Sequence, residues 1–380
     1  MAVCVWAGLG PTTVQVSQAG QLPEDVHPDL VVLTQGVGEL PNCLLLWTPM
    51  LNLQKCLVGV VTVLVAGCGG GSSSSPTAPT SVSSVTFSGT VTNIVTGAPV
   101  GGATVTIGST SATSGTDGAY TLAVTAAGQP GFSVSASGYY TRESAVSMTR
   151  ATTINVEIIP QADGFDLAFF DHSFRDGSKG TTRWMIQPPV EIWTQIWRCV
   201  EPCNSTSTIY EATAETAPAY FERYAREAIA MMSDLTGGFM SSPVITTKDH
   251  PVGTRLRRGG NGGAGINFML TNKFSNPSSG GGTWNEPSQS GVALTGSGLS
   301  FNQTHSSATT NNSIYMHEMA HALGFVPGHG ADLSLVPGPS IMGPDPVVVT
   351  AKDRLHAKVL YKRPVGSLSP DRDPSGVTIN

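Results

Sequence analysis

Two histidines one helical turn apart are the feature that most restricts what this chain can fold into. They are His317 and His321 in the segment HEMAHALGF, with Glu318 directly after the first. On an α-helix, residues i and i+4 lie on the same face, so both imidazoles can bind one metal ion. Glu318 is rotated off that face and is placed to hold a water molecule as a general base. The segment therefore predicts a helix, ended by Gly324, that carries a Zn2+ site.

A third zinc ligand has to come from outside this helix, because catalytic zinc usually has three protein ligands. The sequence has no glutamate after Glu318, which argues against a glutamate ligand on a later helix. HEMAHALG resembles zinc proteases in which a ligand follows a glycine bend, and this resemblance implies His329 or, as in members that use aspartate, Asp332 as the third ligand. We favour His329, because imidazole suits zinc and the Pro-Gly pair before it can form a turn. Asp332 remains the alternative.

The segment HEMAHALG, the histidine at 329 and the later sequence SIM together resemble the metzincin clan of zinc proteases, most closely its matrixin-type members. The resemblance covers about residues 165 to 365. It implies an α+β domain with a twisted mixed sheet, an active-site helix, a Met-turn at Met342 and a C-terminal helix. It also implies peptide hydrolysis with Glu318 as the general base. The chain departs from the clan pattern at Pro327, which stands where the third histidine is usual, so that His329 comes two residues late.

The segment before the metzincin-like domain has the alternating pattern of β-strands. Between residues 85 and 160, short runs of alternating apolar and polar residues are separated by Gly, Pro and Asp-Gly turns, which predicts a small all-β sandwich. The stretches GAPVGGATVTI, TSGTDGAYTLAV and FSVSASGYYTR resemble the carboxypeptidase regulatory-like domain, a prealbumin-like sandwich. Such modules usually act as spacers or adhesive domains, so we assign this one no chemistry. The positions that carry the resemblance are Pro99, Gly102, Asp117, Gly118 and Tyr120.

An export signal comes before the sandwich. Residues 50–67 contain one lysine, an apolar run too short to span a bilayer, and then small residues, which is typical of a signal peptide. The sequence VAGC at its end resembles the bacterial lipobox. The resemblance implies that Cys68 is acylated and becomes the mature N-terminus, with residues 68–84 as a flexible tether.

The first 49 residues show neither clear periodicity nor a second export signal. Because a signal peptide belongs at the start of a chain, we expect translation to begin at Met50. Residues 1–49 are then a non-native upstream extension or a disordered segment.

The folded part of the chain keeps one pair of cysteines, Cys199 and Cys203. An even pair outside the cytoplasm favours a disulfide, which here would close a small loop. A lone CxxxC with no second pair makes a poor zinc knuckle, so we expect this bridge to be structural.

The sequence thus predicts a multidomain protein, a small all-β sandwich over 85–160 followed by an α+β metzincin-like domain over 162–380. Its expected function is that of a zinc endopeptidase for extended polypeptides, with a side-chain pocket near residues 330–342. We expect a monomer, held by its lipid in a membrane of the bacterial cell envelope, either periplasmic or exposed at the outer membrane.

Composition bears on the alternatives. The chain has 20 lysines and arginines against 26 aspartates and glutamates and no basic run, which speaks against nucleic-acid binding.

A catalytically inactive zinc-containing lipoprotein for surface binding or adhesion is the first rival function. A zinc hydrolase for a non-peptide amide or a glycan-linked target is the second.

Overall fold

The computed structural model describes residues 84–379 except 126–127, 176, 204–208, 258–263, 277, 289–292, 327–338 and 344–347. The proposed signal peptide, Cys68 and nearly all of the tether lie outside the described residues. His329 and Asp332 also lie outside them. No helix in the described part of the chain is long and apolar enough to cross a membrane.

The first domain is a β-sandwich of two sheets. Strands β1 and β4 pair antiparallel, and β7 and β8 both pair with β1 in parallel, which forms the first sheet. The second sheet has β6, β5, β2 and β3 in that order. The strands are β1 (Val85–Asn93), β2 (Thr104–Ile107), β3 (Thr110–Thr113), β4 (Ala119–Val124), β5 (Gly131–Ser135), β6 (Arg142–Val146), β7 (Thr152–Thr153) and β8 (Val156–Ile158).

Alternation along the strands builds the core of the sandwich. In β4 every second residue is buried, Tyr120, Leu122 and Val124, because successive side chains of a strand point to opposite faces. These residues pack with Phe87 and Val134, which are fully or almost fully buried. The predicted all-β sandwich agrees with the structure.

The second domain is a mixed sheet with helices. Its strand order is β13-β11-β10-β14-β16-β15, with β12 beside β10 and β9 beside β16. The strands β10, β14 and β16 run parallel, whereas β15 runs antiparallel to β16. The strands are β9 (Arg183–Trp184), β10 (Val190–Val200), β11 (Ile209–Thr216), β12 (Ile245–Lys248), β13 (Arg255–Arg257), β14 (Gly265–Thr271), β15 (Gly281–Pro287) and β16 (Ala293–Asn302).

Helices cover one face of this sheet. They are α1 (Leu167–Phe174), α2 (Ala219–Ala230), α3 (Met232–Leu235), α4 (Ser306–Thr310), α5 (Ser313–Ala322) and α6 (Ala351–Tyr361). In the central strand β14, Ile266, Phe268 and Leu270 face the helices and belong to the main core. Met269 faces the other way. A buried strand needs apolar residues on both faces, which the sequence GINFMLT provides.

The opposite face of the sheet has its own smaller core, which we call the outer-face cluster: Trp193, Trp197, Cys199, Tyr210, Ala212 and Met269. Cys199 and Cys203 are joined by a disulfide with a Cα–Cα distance of 5.8 Å. Cys203 and Phe274 pack against the cluster from the side. The disulfide therefore contributes to packing on the face away from the helices.

The end of the chain returns to the sandwich. A short strand, β17 (Thr378–Ile379), pairs in parallel with β6 and extends the second sheet of the sandwich. Just before it, Asp371 and Asp373 lie 3.1 and 2.7 Å from the guanidinium nitrogens of Arg142 in β6. The carboxylate of Asp371 also binds Arg363 at 2.6 Å. The sequence placed these C-terminal residues in the second domain, yet they pack on the first.

This four-residue charge network is buried, so we expect Asp371→Asn to destabilise the protein strongly. The variant leaves Arg142 and Arg363 facing each other without their shared carboxylate, which costs about 3–5 kcal/mol in comparable buried pairs. Urea denaturation measures the change. Glu222→Gln, in the exposed Glu222–Arg226 pair, is the control and should cost no more than about 0.5 kcal/mol. Equal losses of unfolding free energy in the two variants would show that the network does not stabilise the contact between the domains.

Candidate active site

Helix α5 holds the two histidines and the glutamate that the sequence singles out. Its N-cap is Asn312, and just before it the side-chain oxygen of Asn311 accepts a hydrogen bond from Ser313 N at 3.0 Å. Its buried face includes Tyr315, which stacks on Phe301 of β16 with ring centroids 3.9 Å apart, and Met319. This packing fixes the rotation of the helix about its own axis.

His317 and His321 lie side by side on α5, with ring centroids 4.9 Å apart and ring planes nearly perpendicular. The Nδ1 atom of His317 is 2.8 Å from the carbonyl oxygen of Ile341, and Nδ1 of His321 is 2.9 Å from that of Phe325. A carbonyl can only accept, so each Nδ1 carries a proton, and in the neutral ring the lone pair is then on Nε2. That is the tautomer a zinc ligand needs, oriented as metal-binding histidines usually are.

Gly324 makes the bend that brings Phe325 back to His321. Its φ is +110°, and a Cβ atom there would lie 2.3 Å from the carbonyl oxygen of Thr182. After the bend, Phe325 N donates to Ala320 O at 3.1 Å. The glycine predicted to end the helix is therefore required by conformation and by space.

The turn around Met342 lies beside His317. Ile341 supplies the carbonyl that accepts from His317, and Met342 is buried. Asp353 holds this turn, since its carboxylate accepts hydrogen bonds from Ser340 Oγ at 2.7 Å and Ile341 N at 3.1 Å. The same carboxylate accepts from the backbone N–H and the hydroxyl of Thr350, the N-cap of α6. The sequence analysis did not single out Asp353, although TAKD at residues 350–353 fits the pattern of a capping box.

Glu318 is fully buried and is held by the neighbouring strand. Thr283 of β15 places its hydroxyl 2.7 Å from Glu318 Oε2 and 2.9 Å from the Glu318 carbonyl oxygen. Gly281 lies so close that a Cβ atom on it would be 3.0 Å from Glu318 Oε1. The spacing of the sequence gives no signal for this contact, because Thr283 lies in a polar Gly-rich stretch.

A groove of about 630 Å3 runs along the first half of β15, and Glu318 forms part of its wall. Gly280, Gly281 and Gly282 contribute main chain only, and Ile314 lines the groove one turn before Glu318. The side-chain pocket predicted near residues 330–342 falls mostly outside the described residues. The groove at β15 is the open space that the described residues place beside the carboxylate.

Of the zinc ligands expected from the sequence, His317 and His321 lie within the described residues. Within them, no group of three or more His, Cys, Asp and Glu side chains is arranged to hold a metal ion. His317 and His321 still fit a zinc ion by their tautomer, their spacing on one helix face and the main-chain carbonyls behind them. The proposed third ligand, His329 or Asp332, is not among the described residues.

Two other histidines have structural partners. His356 in α6 is buried, accepts a hydrogen bond from Asp166 N at 2.9 Å through Nε2, and contacts Lys352 O through Nδ1. Burial lowers its pKa, which keeps the ring neutral. His305 caps α4 by accepting from Ser307 N. Both are thus polar packing positions.

Comparison with known proteins identifies the first domain. Residues 86–159 match the carboxypeptidase regulatory-like domain and form a domain of that kind. No curated protein matches the chain.

Two solved structures of type II cohesin–X-dockerin complexes from Acetivibrio cellulolyticus also show similarity. An N-terminal interface mutant is 30% identical over 20% of this chain and 56% of its own, with a TM-score of 0.17. A C-terminal interface mutant is 23% identical over 25% of this chain and 76% of its own, with a TM-score of 0.18. This chain thus spans little more than half of the first. TM-scores this low do not define a fold.

We expect Gly324→Ala to destabilise the protein more than Gly97→Ala. Both glycines have a positive φ, but a Cβ atom at Gly97 meets nothing within 4 Å, whereas at Gly324 it meets Thr182 O at 2.3 Å. The conformation alone should cost about 1–2 kcal/mol, and the clash should add roughly 1–3 kcal/mol. Thermal and urea unfolding of the two variants measure the difference. Equal losses would mean that the bend at Gly324 relaxes freely.

Proposed function

We propose that this chain is a zinc-dependent endopeptidase of the metzincin type. The observation that carries the proposal is the pair His317 and His321, each tied through Nδ1 to a main-chain carbonyl, with buried Glu318 between them at the wall of an open groove. A binding module has no need of a buried carboxylate beside such a pair.

Each residue of the proposed zinc site has its own role in peptide hydrolysis. Nε2 of His317 and Nε2 of His321 would hold the zinc ion, with His329 as the third ligand and Asp332 as its alternative. Zinc, when bound, polarises the scissile carbonyl and lowers the pKa of a water molecule. Glu318 takes the proton from that water and passes it to the leaving amine. Met342 underlies the site in the turn that Asp353 holds.

Strand β15 supports an extended polypeptide as the substrate. It is the last strand in the order of the mixed sheet and pairs with β16 along one edge. No other described strand pairs with its other edge. A strand edge binds a peptide through main-chain hydrogen bonds. Thr283 lies in this strand and contacts Glu318, so a peptide added there would pass directly by the general base.

The anchoring part of the proposal rests on the sequence before the sandwich. Cys68 would carry the lipid, residues 68–84 would be the tether, and the enzyme would act as a monomer in the bacterial cell envelope. Mass spectrometry of the N-terminal peptide of the mature protein tests this arrangement, and recovery of peptides from residues 1–49 would contradict it.

We expect Glu318→Ala to abolish peptide cleavage while zinc stays bound. Loss of the general base should lower the cleavage rate by about 10²–10⁴-fold. Metal content by mass spectrometry and cleavage of a peptide library, with and without a chelator, are the measurements. Glu222→Ala, on the exposed side of α2, is the control.

His317→Ala should instead lose the metal. Of His329→Ala and Asp332→Ala, the one variant that loses zinc identifies the third ligand. Undiminished cleavage by Glu318→Ala would reject the mechanism. Zinc binding by the wild type without any cleavage would favour the inactive surface-binding protein.

We expect Thr283→Val to lower kcat with little change in KM or zinc content. Valine keeps the shape of threonine but removes the hydroxyl that holds Glu318 Oε2, and misplacement of a catalytic group by about 1 Å can cost roughly 100-fold. Thr283→Ser should restore most of the rate. Thr295→Val is the matched control, because that hydroxyl bonds only the Glu286 carbonyl at the far end of β15. A KM effect alone would mean that Thr283 contacts substrate and does not position Glu318.

A further inference from the structure

The groove beside Glu318 continues around β15 to the face of the sheet away from the helices. Side chains of a strand alternate between faces, and Thr283 points to α5, so Gly282 and Trp284 point to the outer face. In β16, Leu299 and Phe301 belong to the helix-side core, so Ser300 between them also points outward. Trp284 and Ser300 both line the groove, as does Gly282. The groove therefore has an outer recess as well as a helix-side part.

The floor of the outer recess contains an unsatisfied hydroxyl. Ser300 is only 4% exposed, and its Oγ has no hydrogen-bond partner among the described residues. It pairs in register with Gly282, which has no side chain on the outer face beside Ser300. A buried hydroxyl without a partner is unfavourable and is uncommon in folded proteins. A ligand in the recess with a polar atom at its tip would satisfy it.

The walls of the outer recess are aromatic. Trp284 is 50% exposed, an unusual position for a large apolar side chain, and Tyr210 and Phe274 line the same groove. No lysine or arginine lines the groove, and Glu318 on the helix side is its only carboxylate among the described residues. A charged side chain would find no partner of opposite sign at Ser300. The recess is suited to a flat, uncharged group.

We propose that the outer recess, formed by Trp284, Tyr210, Phe274 and Ser300, is a substrate subsite that selects tyrosine. This inference rests on the proposed function. In a peptide strand added to β15, adjacent side chains point to opposite faces, so one lies beside Glu318 and a neighbour enters the outer recess. The tyrosine ring packs against the aromatic walls, and its hydroxyl makes the hydrogen bond that Ser300 lacks. Phenylalanine fills the same space but leaves Ser300 unsatisfied.

Discrimination of this kind can be large, because a site built around a buried polar group rejects a ligand that cannot pair with it. We expect peptides that differ only by Tyr or Phe at a single position to differ in kcat/KM by about 10-fold or more, at one position near the cleaved bond. Scanning tyrosine and phenylalanine through each position of a cleaved peptide identifies that position.

Ser300→Ala should bring the Tyr/Phe ratio close to one while phenylalanine peptides are still cleaved. Trp284→Ala should slow both peptides to a similar extent. Ser173→Ala is the matched control, because Ser173 Oγ is also buried without a partner but lies in α1. It should leave the ratio unchanged. Comparison of the three variants separates the lost hydrogen bond from lost packing and from general destabilisation.

The outcomes distinguish this inference from the proposed function. Cleavage without a tyrosine preference at any position, or an unchanged Tyr/Phe ratio in Ser300→Ala, overturns the subsite and leaves the endopeptidase intact. If no peptide is cleaved, the endopeptidase proposal fails. Binding of the same peptides to Glu318→Ala, measured by calorimetry, then tests the recess alone. Equal affinity for tyrosine and phenylalanine peptides would reject it.

Discussion

The buried carboxylate of Asp353 is the contact on which the arrangement of the candidate site depends. It is fully buried and accepts hydrogen bonds from Ser340 Oγ, Ile341 N, and both the N–H and the hydroxyl of Thr350. A carboxylate removed from water is tolerated only when its oxygens are satisfied in this way. The contacts join the start of α6 to the turn at Met342. Because the Ile341 carbonyl in that turn accepts from His317, the orientation of the first imidazole follows from the start of α6.

Strand β15 contacts Glu318 on one face and lines the outer recess on the other, and its glycines make both possible. A Cβ atom at Gly281 would lie 2.8 Å from Ile314 Cγ1, so a larger residue would push the strand away from α5. The close approach lets Thr283 reach Glu318. On the other face, Gly282 adds no side chain beside its register partner Ser300. A single stretch of main chain therefore sets the position of Glu318 and the shape of the groove.

Local patterns predicted much of this fold, and long-range pairs account for what they missed. The sandwich, the helix that carries His317 and its end at Gly324 each follow from spacing or conformation within a few residues. Thr283 and Glu318 are 35 positions apart, and Arg142 and Asp371 are 229 apart. No periodicity relates such pairs, because their contact depends on how the strands and the C-terminal segment pack together. The third zinc ligand stays a prediction for the same reason, since spacing after Gly324 permits two residues.

The C-terminal segment changes the role expected for the sandwich. A spacer domain would move on a flexible linker and would share few contacts with its neighbour. Here Arg142 lies inside the sandwich sheet, and its two carboxylate partners come from the segment that follows the second domain. Detachment of that segment would leave Arg142 buried without a counter-charge and would remove β17 from the sheet. The sandwich therefore depends on the second domain for its own stability, and the two should unfold as one cooperative unit.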